Sequence, residues 1–204
     1  MTDAVVTVPE KLHSKVKVTV KDGVLEIGYT SSIGIGTGKA TVKLPRNTEL
    51  KDVDLSGASS FHGNLQGSTS RVVVSGASEY YGNINAPYVK LKVSGASDVR
   101  VNYVTADEMN AEVSGSSEVD IDGSCTGTME IHVSGSSDLR AKWLATDAVT
   151  GELSGSSRAK VSVCNLIKVD VSGSSDLIYY KSSPECRPEY RCTTSGSSNV
   201  TAHD

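Results

Sequence analysis

From Val53 onward, apolar and polar positions alternate with a period of two in short runs, and the same tetrapeptide, Ser-Gly-(Ala or Ser)-Ser, breaks the runs at regular intervals. A period of two is the mark of strands with one buried face; the wider spacing of an amphipathic helix does not occur. The tetrapeptide starts at Ser56, Ser75, Ser94, Ser114, Ser134, Ser154, Ser172 and Ser195, in steps of 19, 19, 20, 20, 20, 18 and 23 residues. Let its first Ser be position 0. Position −1 is then Leu55, Val74, Val93, Val113, Val133, Leu153, Val171 and Thr194, and position +5 is Phe61, Tyr80, Val99, Val119, Leu139, Ala159, Leu177 and Val200.

Each unit therefore reads as a strand, a corner, a second strand and a variable return. One unit alone has no partner for its apolar face, whereas stacked units bury a continuous core. Equivalent strands of successive units run the same way, so their sheets are parallel. The pattern predicts an all-β, right-handed parallel β-helix (a solenoid) of about eight coils of ~20 residues. Gly at +1 suits a backbone that a side chain would oppose. The small residues at +2 and +3 stack on themselves, with hydroxyls that bond the turn backbone or the next coil. Eight equivalent serine sets argue against a nucleophile, which is a single residue with its own base.

Residues 1–55 lack the repeat and form an irregular β segment that packs on or caps the solenoid. The regular coils occupy 56–181, and 182–204 form a C-terminal cap. Val16, Val18 and Val20 alternate with lysines and Thr19, Asp22-Gly23 is a hairpin signal, and Leu25 and Ile27 begin the return. Ala40, Val42 and Leu44 make another alternating run. The GIGTGK stretch (Gly34 to Lys39) fails phosphate-loop spacing and leads into a strand, so it reads as a hairpin loop.

Composition sharpens this picture. Aromatics are only 5% of the chain, which favours thin layers of Val, Leu, Ile and Ala over one thick core. A formal charge of −4 gives no basic footprint for nucleic acid. No apolar run approaches a membrane span. The start, MTDAVVTVP, carries no secretory signal, so the chain is either cytosolic or a mature segment. Cys186 and Cys192 bracket a Pro-containing loop where a disulfide clip is plausible, with two unpaired thiols as the alternative; Cys125 and Cys164 read as core thiols.

Position +4 is acidic at Glu79, Asp98, Glu118, Asp138 and Asp176, but Arg158 interrupts it and +6 supplies Arg100, Asp120, Arg140 and Lys160. Mixed signs on one outward face form a self-neutralising ladder, and neither this column nor the four scattered histidines make a metal site. No cofactor is implied. The first two units share a variant, Phe61-His62-Gly63-Asn64-Leu65 and Tyr80-Tyr81-Gly82-Asn83-Ile84. Alternation points His62, Asn64, Tyr81 and Asn83 outward, where rings beside amides would hold a sugar by stacking and hydrogen bonds; ordinary surface residues on a bent strand are the bland alternative. Trp143, the single tryptophan, reads as core or corner packing, or else as an isolated ligand platform.

The iterated V-SG[AS]S-[DE]-[VL] units, the lead-in KVKVTVKDGVLEIGY…ATVKLP…LKDVDLSGAS and the ending SGSSDLIYYKSSP…TTSGSSNV resemble the putative auto-transporter adhesin, head-GIN domain family of bacterial cell envelopes, over roughly residues 5–201. The resemblance implies an exported β-helix at the periplasm, outer membrane or cell surface, with adhesion by analogy and no catalytic residues to transfer. Members usually carry an export signal, which favours the mature-segment reading. The expected function is a non-enzymatic adhesin or surface-binding module for a glycan or protein. A carbohydrate-active enzyme on the same coils, and a structural module self-associating through solenoid ends, are the alternatives.

Overall fold

The computed structural model describes residues 5–30, 39–45 and 48–203. The chain forms two compact units, residues 1–48 and residues 49–204.

In the first unit, strands Val16–Lys21 and Val24–Tyr29 pair as an antiparallel hairpin closed by Asp22 and Gly23, as the Asp-Gly signal predicts. Val5–Thr7 pairs antiparallel with Thr41–Lys43, and the 3-10 turn Glu10–Leu12 buries Leu12. Residues 34–38 of the GIGTGK stretch lie outside the described residues.

The second unit is a β-solenoid of about eight turns. Strands leading into each corner pair in parallel with those of the next coil: Asp52–Leu55 on Thr69–Val74, then Tyr88–Val93 and Glu108–Val113. Strands leaving the corner stack likewise, Ser60–His62 on Glu79–Asn85 and then Asp98–Ala106. A shorter third side stacks Leu65, Ile84, Val104, Gly123 and Leu144. Inward positions alternate with outward ones along the coil strands except where the register slips, so the β-branched columns of the sequence become columns of the core. Val72, Leu91, Ala111, Ile131 and Val169 line one sheet, and Val99, Val119, Leu139, Ala159 and Leu177 the other, all buried.

All eight corner glycines have positive φ, between +73° and +83°. From the second coil on, a side chain there would also run into the carbonyl oxygen of the glycine above. That oxygen has another use: it accepts the +2 N–H of the coil below, as in Ala96 N to Gly76 O and Ser116 N to Gly95 O, both 2.8 Å. The +3 serines from Ser78 to Ser175 are buried. Apart from that of Ser137, which has no partner among the described residues, their hydroxyls use both kinds of partner expected: Ser97 and Ser117 donate to the carbonyls of Ser94 and Ser114 at 2.9 and 3.0 Å, and the Ser157 and Ser175 hydroxyls meet at 3.2 Å.

Residues 189–203 continue the stack, with Thr193–Thr194 under Leu166–Val171 and Asn199–His203 under Asp176–Lys181. The disulfide expectation is corrected here. Cys186 is bonded to Cys164, with 4.6 Å between their Cα atoms, and Cys192 is a free thiol. The reason is register. Pairing of Asp170 with Thr193 sets Cys192 beside Val169 in the inward column, packed against the core, with its thiol toward the Ile167 carbonyl. The Ser182 N–H bonds the Val163 carbonyl, which brings the loop under Cys164; a turn from Ser183 to Cys186 then closes the crosslink. Cys164 is thus no core thiol, whereas Cys125 is buried and free.

Candidate binding face

The variant of the first two coils has a packing cause. Phe61 and Tyr80 point inward, and their rings need the space that the next inward residue fills elsewhere. That residue is Gly63 or Gly82 in these coils, where later coils have Val101, Ile121, Ala141 and Val161. The outward neighbours His62 and Tyr81 are in register, their rings 5.7 Å apart at 40°. One position further, the Asn64 side-chain oxygen accepts the Asn83 backbone N–H at 3.0 Å. All four sequence-predicted residues are exposed and adjacent.

The row continues beyond them. Below Tyr81 stand Arg100, Asp120, Arg140 and Lys160, paired coil by coil. Arg140 is held by Glu118 and by Asp138 at 2.9 Å, and Arg100 by Asp120 at 3.1 Å. This much of the face is the self-neutralising ladder that the alternating charges predict. Beside it lies a shallow depression of about 460 Å³, lined by Arg100, Asn102, Asp120, Asp122, Arg140, Lys142, Trp143 and Lys160.

Trp143 is 71% exposed, which corrects the expectation of core or corner packing. Tyr103 is exposed as well. Strict alternation fails here because the strand changes register between Val101 and Tyr103, and Lys142-Trp143 form a two-residue turn. Each irregularity inserts a residue and turns a ring outward. The Lys142 ammonium lies 5.0 Å over the Trp143 ring and 4.4 Å over Tyr180, which stacks on His203 at 5.3 Å. The sequence signal for these residues was the count of aromatics beyond those the core uses.

A second depression, of about 590 Å³, follows the outward side of the strands entering the corners, around exposed Tyr88, Lys90 and Glu130 and half-buried Asn110. Glu112 bonds Lys90 at 2.7 Å, and Asn110 and His132 bond Glu130 at 2.7 and 3.3 Å. The Lys90 ammonium holds the Glu112 carboxyl below its ordinary value, and Asn110 does the same for Glu130. Both are ionised hydrogen-bond acceptors at neutral pH. Among the described residues, no group of three or more His, Cys, Asp or Glu is placed to hold a metal ion.

A stack of parallel coils with a largely aliphatic core, and with rings, amides and charges on its outer faces, is a β-solenoid. The chain belongs to the family described as "Putative auto-transporter adhesin, head GIN domain", whose sequence profile matches residues 2–184. The fold is shared with the crystal structure of a putative adhesin from Parabacteroides distasonis ATCC 8503, at TM-score 0.84 and 22% identity over 98% of this chain and 83% of that one. It is also shared with a putative adhesin from Parabacteroides merdae ATCC 43184, at TM-score 0.84 and 19% identity over 98% of this chain and 82% of that one. A putative lipid binding protein from Parabacteroides distasonis ATCC 8503 aligns at TM-score 0.79 and 17% identity, over 98% of this chain and 84% of that one. At these identities the likeness is one of fold. A search of curated proteins gave no match.

Proposed function

We propose that this chain is a non-enzymatic adhesion module of the bacterial envelope that holds a saccharide against the outward face running from His62 and Tyr81 to Trp143. The observation carrying this reading is the placement of the aromatics. Val, Leu, Ile and Ala fill nearly the whole core, while Tyr81, Tyr103 and Trp143 stand exposed beside Asn64, Asn83 and Asn102. Rings offer stacking area at low entropic cost, and neighbouring amides donate and accept toward adjacent hydroxyls. The depression beside Trp143 is lined mainly by charged and amide side chains, which suit a saccharide better than an acyl chain. The Cys164–Cys186 bond supports an oxidising compartment, in keeping with export.

A glycan array probed with the native chain and with His62→Ala and Tyr81→Ala tests the reading. Binding to a defined set of saccharides, reduced at least tenfold by Tyr81→Ala, is expected. Retention of no saccharide, or binding indifferent to both substitutions, would refute it.

A further inference from the structure

Resting on that reading, one end of the same face has its own chemistry. Among the described residues, Lys160 and Asp122 have no ion-pair partner, and the Lys142 ammonium meets only aromatic rings. The carboxylates nearest in the ladder are engaged: Asp120 by Arg100, and Glu118 and Asp138 by Arg140. Lys142 and Lys160 are both half-buried. An ammonium that no carboxylate engages can take an anion without first breaking an ion pair. These two lysines share a depression with an indole that is 71% exposed, in a chain whose formal charge is −4. Within the depression, two ammonium groups that no carboxylate engages stand beside one exposed ring.

We infer that this depression is a subsite for an acidic saccharide. A sugar ring lies on Trp143, and its carboxylate or sulfate is held by Lys160 and Lys142. Stacking supplies contact that any pyranose could share, while the two ammonium groups choose the charged one. Lys142 already rests on the Trp143 face, so it moves aside or turns its ammonium toward the anion as the sugar ring takes that face. Asp122, unpaired on the rim, sets a limit by repelling a second negative charge placed beside it. The subsite therefore favours one anionic group per engaged residue over a densely charged polymer.

Three matched pairs of probes test this by titration calorimetry at low and raised salt. They are oligogalacturonate against its methyl ester, a sulfated galactan fragment against its desulfated form, and sialyllactose against lactose. The expected result is that at least one acidic probe binds at least tenfold more tightly than its neutral partner, and that raised salt narrows the gap. Lys160→Gln should bring the acidic probe down to the level of the neutral one, and Trp143→Ala should weaken both. Trp143 is exposed, so its loss leaves the core intact, and Tyr190→Ala, at an exposed ring outside both depressions, serves as a surface control. Equal binding of acidic and neutral partners would overturn the subsite while leaving the saccharide reading standing. Absence of binding to all six probes would overturn the subsite as well, and the glycan array then decides the broader reading on its own.

Discussion

The rings of Phe61 and Tyr80 lie 5.6 Å apart and within 13° of parallel, and each is followed two residues later by a glycine that leaves room for it. A Cβ on Gly63 would sit 2.8 Å from the Phe61 ring, and one on Gly82 would overlap the Gly63 carbonyl. The Tyr80 hydroxyl is buried without a hydrogen-bond partner, and burial pushes its pKa well up. Removing the hydroxyl relieves that cost, so Tyr80→Phe is expected to stabilise the solenoid by about 1 kcal/mol. Gly82→Ala is expected to destabilise it by about 3 kcal/mol or more through overpacking. Urea unfolding of the two variants beside the native chain checks both signs.

Two corner glycines separate backbone strain from stacking. Gly57 and Gly115 share the left-handed conformation, but a Cβ on Gly57 meets nothing within 4 Å, whereas one on Gly115 overlaps the Gly95 oxygen. Gly57→Ala should therefore cost about 1–2 kcal/mol, the penalty of the conformation alone. Gly115→Ala should cost that and a further ~1–3 kcal/mol for the clash. Equal losses in the two variants would mean that the corner is governed by φ alone.

The crosslink makes its own forecast. Non-reducing peptide mapping should recover Cys164 joined to Cys186, with Cys125 and Cys192 as free thiols. Burial pushes both free thiols up in pKa, so they should alkylate slowly at pH 8 in the native state and fast after unfolding. Cys186→Ser should cost about 3 kcal/mol, as for a loop of this length, whereas Cys192→Ser should leave the crosslink in place. A fragment joining Cys186 to Cys192 would contradict the register described for the last coil.

Acid should act through Glu112 and Glu130. Their pKa values are lowered in the folded state, so their contribution is present above the ordinary glutamate range and disappears as pH falls through it, below roughly pH 4.3. Both groups reach solvent, Glu130 more than Glu112, and screening keeps each contribution under about 1 kcal/mol. Urea midpoints at pH 7 and pH 3 should differ less for Lys90→Gln than for the native chain, since Lys90 is the main cause of the Glu112 shift.

The solenoid was legible because its information is periodic. A tetrapeptide returning eight times, with Val or Leu at −1 and an apolar residue at +5, leaves no helical alternative and fixes which face is buried. His62, Tyr81, Asn64 and Asn83 could be placed outward for the same reason. Alternation stops being informative where the register slips. Trp143 looked inward because the turn at Lys142-Trp143 adds a residue that no local signal marks. The disulfide was hidden by a different cause. Nearness of Cys186 and Cys192 along the chain suggested a clip, but the partner was set by stacking, which carries Cys186 back to a residue one coil earlier.

The corner glycines also act as a ruler. Because each glycine oxygen from Gly57 to Gly173 receives the coil below, the stack lengthens by whole turns, each adding about 4.8 Å of face. A single inserted residue exchanges inside for outside unless a bulge or turn absorbs it, as after Val101 and at Lys142-Trp143, whereas a duplicated cassette of about twenty residues adds one member to every column and disturbs none. The reach of the face along an extended polymer is thus written in the number of tetrapeptides, and it can be reset by copying a cassette with no redesign of the interior.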